Sequence, residues 1–166
     1  LAGRLHETAP DAWDRIMNVD LRGLYLVSYY LLPQMLEGHY GSIINMSSVS
    51  GIRADYAMCA YNTAKGAITN LTRAMALDYA DDNIRVNAVC PGVIRTYIAQ
   101  HTFDCVPGSE EMFRNAYPVH CIADPVEVAN AVVFLASRES DFINGVNLPV
   151  DGGITFHTGH PCTGTY

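Results

Sequence analysis

Helix-like and strand-like segments alternate along this chain, and that order limits the fold more than any other feature. Thr8-Ala-Pro10-Asp11 reads as a helix start, with a capping residue and proline near the first turn. Apolar residues then recur at helical spacing from about Asp11 to Leu36, among them Trp13, Ile16, Met17, Leu21, Leu24 and Val27. Pro33 is expected to kink the last turns, and Gly38 and Gly41 to end the helix. Ser42 to Ser47 is short, apolar-rich and bounded by Gly41 and Gly51, which predicts a buried strand. A second helix is predicted from about Met58 to Tyr79. The β-branched run Ile84 to Val89, stopped by Pro91-Gly92, predicts a second strand. Residues 95 to 123, with Pro107-Gly108 and scattered aromatics, read as irregular. Asp124 is a plausible cap for a helix from Pro125 to Ala136, and Gly145 to Val150 predicts a third strand, with Pro149 better suited to a sheet edge. Alternation of this kind makes a parallel sheet in a layered α/β fold, whose ligands bind at the carboxyl ends of the strands. Those ends are Met46-Ser47-Ser48, Cys90-Pro91-Gly92 and Asp151-Gly152.

Composition narrows the function classes. The 166 residues are 49% apolar and 16% charged, enough for a folded core of one domain. A net charge of −7 with no basic cluster argues against nucleic acid or an anionic membrane surface as partner. No apolar run approaches the ~20 residues of a membrane span, and the N-terminus has no apolar signal region. Cys59, Cys90, Cys105, Cys121 and Cys162 are odd in number and lack a C-x-x-C pair, the pattern of reduced thiols in a cytoplasmic protein. Two sequons, at Asn45 and Asn70, fall inside predicted elements and read as chance matches.

Tyr61 and Lys65 stand at i and i+4, which puts both on one helix face. Ser47 and Ser48 end the preceding strand, so one crevice can hold all of them. A free tyrosine ionises near pH 10 and is a poor proton carrier at neutrality. A nearby ammonium favours the phenolate and is expected to lower that value. A serine hydroxyl can hold a carbonyl oxygen while the phenol gives or takes its proton.

On these residues the chain is similar to the short-chain dehydrogenase/reductase family, over essentially its whole length. Ile43 to Gly51 resembles the family's strand ending in the active-site serine. Ser48 lies thirteen residues before Tyr61, the family's spacing, and is chosen over Ser47. Tyr61-Asn-Thr-Ala-Lys65 resembles the Tyr-x-x-x-Lys motif, and Val86 to Thr96 the segment that holds the nicotinamide carboxamide. Asp124 to Ser137 and Gly145 to Gly153 resemble the closing helix and last strand.

The resemblance implies Tyr61 as general acid/base, Lys65 as the residue that tunes it and binds the nicotinamide ribose, and Ser48 as the group polarising the substrate oxygen. It implies Pro91, Gly92, Ile94 and Thr96 lining the nicotinamide end, with Thr96 donating to the carboxamide. It further implies NAD or NADP as cofactor, a small alcohol or ketone as substrate, and a homo-oligomer, tetramer or dimer; the spacing of the cysteines and histidines points to no metal. The implied fold is a Rossmann-like doubly wound parallel sheet. Residues 1–166 would be the catalytic and C-terminal part of a single domain, with three C-terminal strands present and a substrate loop at about 95–123.

Two departures bear on this. The family's helix-kinking asparagine, which serves the proton relay, falls in register on Asp20, not on Asn18. Its carbonyl stays available to a water, and its carboxylate adds negative charge near Lys65. The family's glycine-rich pyrophosphate turn has no counterpart here, since Gly38-His-Tyr-Gly41 precedes a strand. Leu1 is therefore expected to mark a fragment lacking the first four strands, with a bare apolar edge at Ser42–Ser47. A non-catalytic or truncated relative that keeps the fold for assembly is the competing reading, against which Ser48, Tyr61 and Lys65 stand intact.

The loop aromatics Tyr97, Phe103, Phe113 and Tyr117 either meet an amphipathic substrate or pack the lid. His101 with Cys105, and His120 with Asp124, have i+4 spacing but are not expected to meet in a loop. The tail through His157, His160 and Cys162 is expected to reach a neighbouring subunit instead of binding metal.

Overall fold

A computed structural model describes residues 3–160. Three parallel strands, β1 (Gly41–Met46), β2 (Ile84–Pro91) and β3 (Asn147–Val150), form one sheet in the order β1-β2-β3. Gly41 pairs with Ile84 and Met46 with Val89 on one side of β2; Ala88 pairs with Asn147 and Pro91 with Val150 on the other. Pro149 therefore lies on an edge strand among those described, where a missing N–H is tolerated.

β2 is the centre of the molecule and is buried from Ile84 to Cys90. Its side chains alternate between two helix layers. Ile84 and Val86 pack with Leu32, Met75 and Ala76, from α2 (Gly23–Gly38) and α4 (Cys59–Asp78). Val89 packs on the opposite face with Val128 and Leu135 of α7 (Pro125–Ala136). Period-two alternation on a strand buried on both faces is what a doubly wound sheet requires. The two polar residues of β2 on the α7 face are satisfied internally. Arg85 donates to the carbonyls of Leu135 (3.1 Å), Ser137 (3.2 Å) and Ile143 (3.4 Å). Asn87 donates to Ile143 O at 2.9 Å and accepts from Val146 N–H at 3.0 Å. Together they staple the α7–β3 connection to the central strand.

Several elements differ from the sequence expectation. The first helix is not continuous: α1 (Pro10–Ile16) leads into a π-helical stretch, Met17–Arg22, before α2. The Gly23 N–H reaches the Asn18 carbonyl, five residues back. One extra residue in the turn changes which side chains face inward, and apolar periodicity alone does not register it. Ala9 stands at the N-cap of α1, while the Thr8 hydroxyl donates to Arg4 O at 3.0 Å. α2 continues through Pro33, and His39, in the left-handed region at φ 46°, follows its end.

The segment expected to be irregular contains two helices, α5 (Tyr97–Cys105) and α6 (Ser109–Ala116), turned at Gly108 with φ 80°. Phe103 and Phe113 pack between them, with ring centroids 6.1 Å apart. Arg95 ties the pair down through Glu110 at 2.8 Å. Because α5 is helical, the i+4 pair does meet: Cys105 Sγ lies 3.8 Å from both ring nitrogens of His101. Among the described residues no three His, Cys, Asp or Glu side chains gather as a metal site. Cys162 lies outside the described residues.

Candidate active site

The carboxyl ends of the three strands share one end of the sheet. At β1 the chain leaves the sheet through Ser47 and Ser48, both buried. The Ser47 hydroxyl donates to the Lys65 carbonyl at 3.0 Å, so it fastens β1 to α4 and is turned from the crevice. Ser48 caps the single turn α3 (Val49–Ile52), its oxygen accepting the Ser50 N–H at 3.2 Å. Gly51 allows this packing, because a Cβ there would stand 2.6 Å from the Lys65 carbonyl oxygen.

α4 carries Tyr61 and Lys65 on the face toward Ser48. The Lys65 ammonium is 5.4 Å from the Tyr61 ring centroid, 3.4 Å from the Met46 carbonyl and 3.7 Å from the Asp20 carboxylate. Asp20 arrives from the π-helical stretch, held on α4 by Ile16, Trp13 and Met17 packing on Ala60 and Ala64. The structure thus brings Ser48, Tyr61, Lys65 and Asp20 into one cluster. A cleft of about 300 Å³ opens beside it, lined by Arg15, Ile16, Val19, Asp20, Met58 and Tyr61.

The phenol corrects the expected electrostatics. Burial pushes the Tyr61 pKa up; contact with the Ser48 hydroxyl partly offsets this, and the Asp20 and Asp55 carboxylates add to the rise. The ammonium expected to depress it has its charge met by Asp20 and the Met46 carbonyl. Tyr61 is therefore held in its protonated form at neutral pH.

The second strand end runs under a tyrosine. Gly92 N–H donates to Val150 O at 3.1 Å, and a Cβ on Gly92 would stand 2.6 Å from the Tyr117 hydroxyl oxygen. That hydroxyl accepts the Val93 N–H, and Tyr117 is buried. Tyr117 and Phe103 are thus packing residues of the segment expected to form the substrate loop, whereas Tyr97 is exposed. Ile94 forms a bridge with Ala123 and packs near Val89, and the Thr96 hydroxyl caps α5 at the Ala99 N–H (3.4 Å). At the third strand end the Asp151 carboxylate accepts from Gly153 N–H, Thr155 N–H and the Thr155 hydroxyl, which fixes the turn after β3. Sequence reasoning missed Ser50, Asp55 and Asn62, which form a hydrogen-bonded group behind Ser48. No motif spacing marks them, because a loop that folds back brings them together.

The donor set suits a dinucleotide's nicotinamide end. Lys65 has three protons and two protein partners, which leaves a donor for a ribose diol. Pro91 ends β2 at the same end of the sheet as Ser48, and the chain runs on from there to Thr96.

Comparison with known proteins agrees with this architecture. A family model described as enoyl-(acyl carrier protein) reductase matches residues 1–155. The uncharacterized oxidoreductase YxbG of Bacillus subtilis (strain 168) is 46% identical over 165 residues, 94% of this chain and 59% of that protein. The meso-2,3-butanediol dehydrogenase of Serratia marcescens is 42% identical over 161 residues, 97% of this chain and 62% of that protein. The structure of ElxO with NADP bound superposes with a TM-score of 0.89 at 32% identity, covering 95% of this chain and 64% of that one. The chain therefore spans about three fifths of the length of the relatives it matches. With its doubly wound Rossmann-like sheet and a family model matching nearly its full extent, this chain belongs to the short-chain dehydrogenase/reductase family.

Proposed function

We propose that these residues form the catalytic centre of an NAD(P)-dependent oxidoreductase that interconverts a secondary alcohol and a ketone. What carries the reading is the convergence of Ser48, Tyr61 and Lys65 at the carboxyl end of a parallel sheet. The 2,3-butanediol dehydrogenase relative and the NADP-bound neighbour support the substrate class and the cofactor. A nicotinamide dinucleotide, when bound, supplies or accepts the hydride.

The proton is the protein's task. Tyr61, protonated at neutral pH, gives its proton to the substrate oxygen during reduction and takes one back from the alcohol during oxidation. Ser48 hydrogen-bonds the reacting oxygen and keeps it against the phenol. Lys65 orients the ribose and compensates negative charge as Tyr61 ionises. Asp20 anchors the ammonium and links it to the cleft beside α1. Pro91, Gly92, Ile94 and Thr96 would line the nicotinamide, with Thr96 toward the carboxamide. The residues belong to the catalytic and C-terminal part of one domain, in a protein that works as a homodimer or tetramer.

Nicotinamide absorbance with a panel of secondary alcohols and ketones, using the full-length protein, tests this. Tyr61→Phe is expected to lower kcat by roughly 10²–10⁴-fold with dinucleotide binding retained. Full turnover by Tyr61→Phe would overturn the assignment.

A further inference from the structure

The loop joining α3 to α4 carries a carboxylate that no step above uses. Asn62, next after Tyr61 in α4, accepts the Asp55 N–H at 3.3 Å and donates to the Asp55 carbonyl at 2.9 Å. Two residues on, Ala57 takes φ 55°, a left-handed conformation that costs an alanine about 1 kcal/mol, and its carbonyl accepts the Gly3 N–H. The loop is thus pinned to the turn of α4 that bears the phenol.

From this position Asp55 accepts a short hydrogen bond from the hydroxyl of buried Ser50. A serine hydroxyl has one proton. Once it is given to Asp55, Ser50 can only accept on its other side. The Ser48 hydroxyl donates to it at 3.1 Å, and the Ser48 oxygen also accepts the Ser50 N–H at 3.2 Å. Both the proton and one lone pair of Ser48 are thereby committed inside the protein. A lone pair is what remains for the crevice.

We infer that Asp55 is a positioning residue: acting through Ser50, it turns the Ser48 proton away from the crevice, so that the site favours a hydrogen-bond-donating alcohol over a carbonyl, which can only accept. This rests on the proposed alcohol–ketone chemistry and concerns one hydroxyl within it. Ser48 supports a Tyr61 phenolate only by giving it that same proton, so Ser50 and the phenolate compete for it. The other charges facing Tyr61 are Asp20 from the π-helical stretch, Lys65 from its own helix and Asp55 itself; Asp55 also acts on Tyr117.

Two measurements on the full-length protein test the relay. The first is the ionisation of Tyr61, read by ultraviolet difference titration against Tyr61→Phe; it needs no turnover. Ser50→Ala alters no charge yet frees the Ser48 proton, so the phenol is expected to ionise at lower pH. Asp55→Asn, at an exposed position, also removes a carboxylate that raises the phenol directly, so for that variant the second measurement keeps the test available if Ser50→Ala does not fold. The second is the ratio of KM for a secondary alcohol to KM for its ketone. It is expected to rise by roughly threefold to tenfold in both variants, the worth of one hydrogen bond. An unchanged or upward ionisation in Ser50→Ala, or an unchanged KM ratio in Asp55→Asn, would overturn the relay. Failure of the unsubstituted protein to turn over any alcohol would instead overturn the proposed reaction, and the titration still decides the relay.

Discussion

At the scale of single residues, Asp20 is the departure with the clearest consequence. Its carboxylate sits 3.7 Å from the Lys65 ammonium and adds to the upward push on Tyr61. In the proposed reaction oxidation needs the phenolate, so its rate is expected to rise with pH toward the alkaline range. Asp20→Asn removes one of the charges that raise the phenol, and the alkaline limb of the oxidation profile is expected to move to lower pH, measured as kcat/KM against pH. An unmoved limb would mean that Asp20 does not act on Tyr61. Gly92 makes a second residue-scale case. Its hydrogen faces the Tyr117 hydroxyl where a Cβ would stand 2.6 Å away. Gly92→Ala is therefore expected to cost about 1–3 kcal/mol in denaturant unfolding, and distinctly less when Tyr117→Leu is present as well. Ser48, Tyr61 and Lys65 could be read from the sequence because their spacing is a property of one strand end and one helix face. Asp55 could not: its role depends on Asn62 folding the loop back, and that contact spans seven residues without a repeating pattern.

At the scale of elements, strands and long helices were legible because burial imposes a period on them. β2 reads as a run of inward residues, and α4 and α7 as apolar helices, with boundaries displaced by a residue or two. The π-helical stretch and α5–α6 were not legible. The former differs from an α-helix by a single residue per turn, and the latter are short helices stabilised by Phe103–Phe113 packing and the Arg95–Glu110 pair. Arg85 shows how much one buried polar residue of a strand contributes to its neighbours. Arg85→Met is expected to loosen the α7–β3 connection by about 1–2 kcal/mol, read from the denaturation midpoint. The loss falls short of the ~3–5 kcal/mol for breaking a buried ion pair. The reason is that each carbonyl keeps another donor: the Ser42 hydroxyl for Leu135, the Ser140 N–H for Ser137 and Asn87 Nδ2 for Ile143.

At the scale of the whole molecule, Ser48, Tyr61, Lys65 and Asp20 come together, whereas the sequence of 166 residues shows no glycine-rich turn of the kind expected to follow a strand and open a helix. Calorimetric titration of this chain by itself with NAD and NADP is expected to give little or no binding heat, and tight binding would show that the pyrophosphate is held by other means. The in-register sheet has a further consequence, for time instead of geometry. Met46 ends β1 opposite Val89, and Pro91 and Val150 end β2 and β3 opposite each other, yet long crossovers separate the three ends. No local segment can hold two of these ends together before the chain between them has closed, and such non-local closures are the slow steps of folding. A half-folded chain can have α4 formed, with Tyr61 and Lys65 one turn apart, and still lack the Ser48 and Asp20 that make them a reactive set. The set is complete only once the end of β1, α4 and the π-helical stretch have docked, so a chain short of that docking lacks the arrangement on which the proposed proton transfer depends.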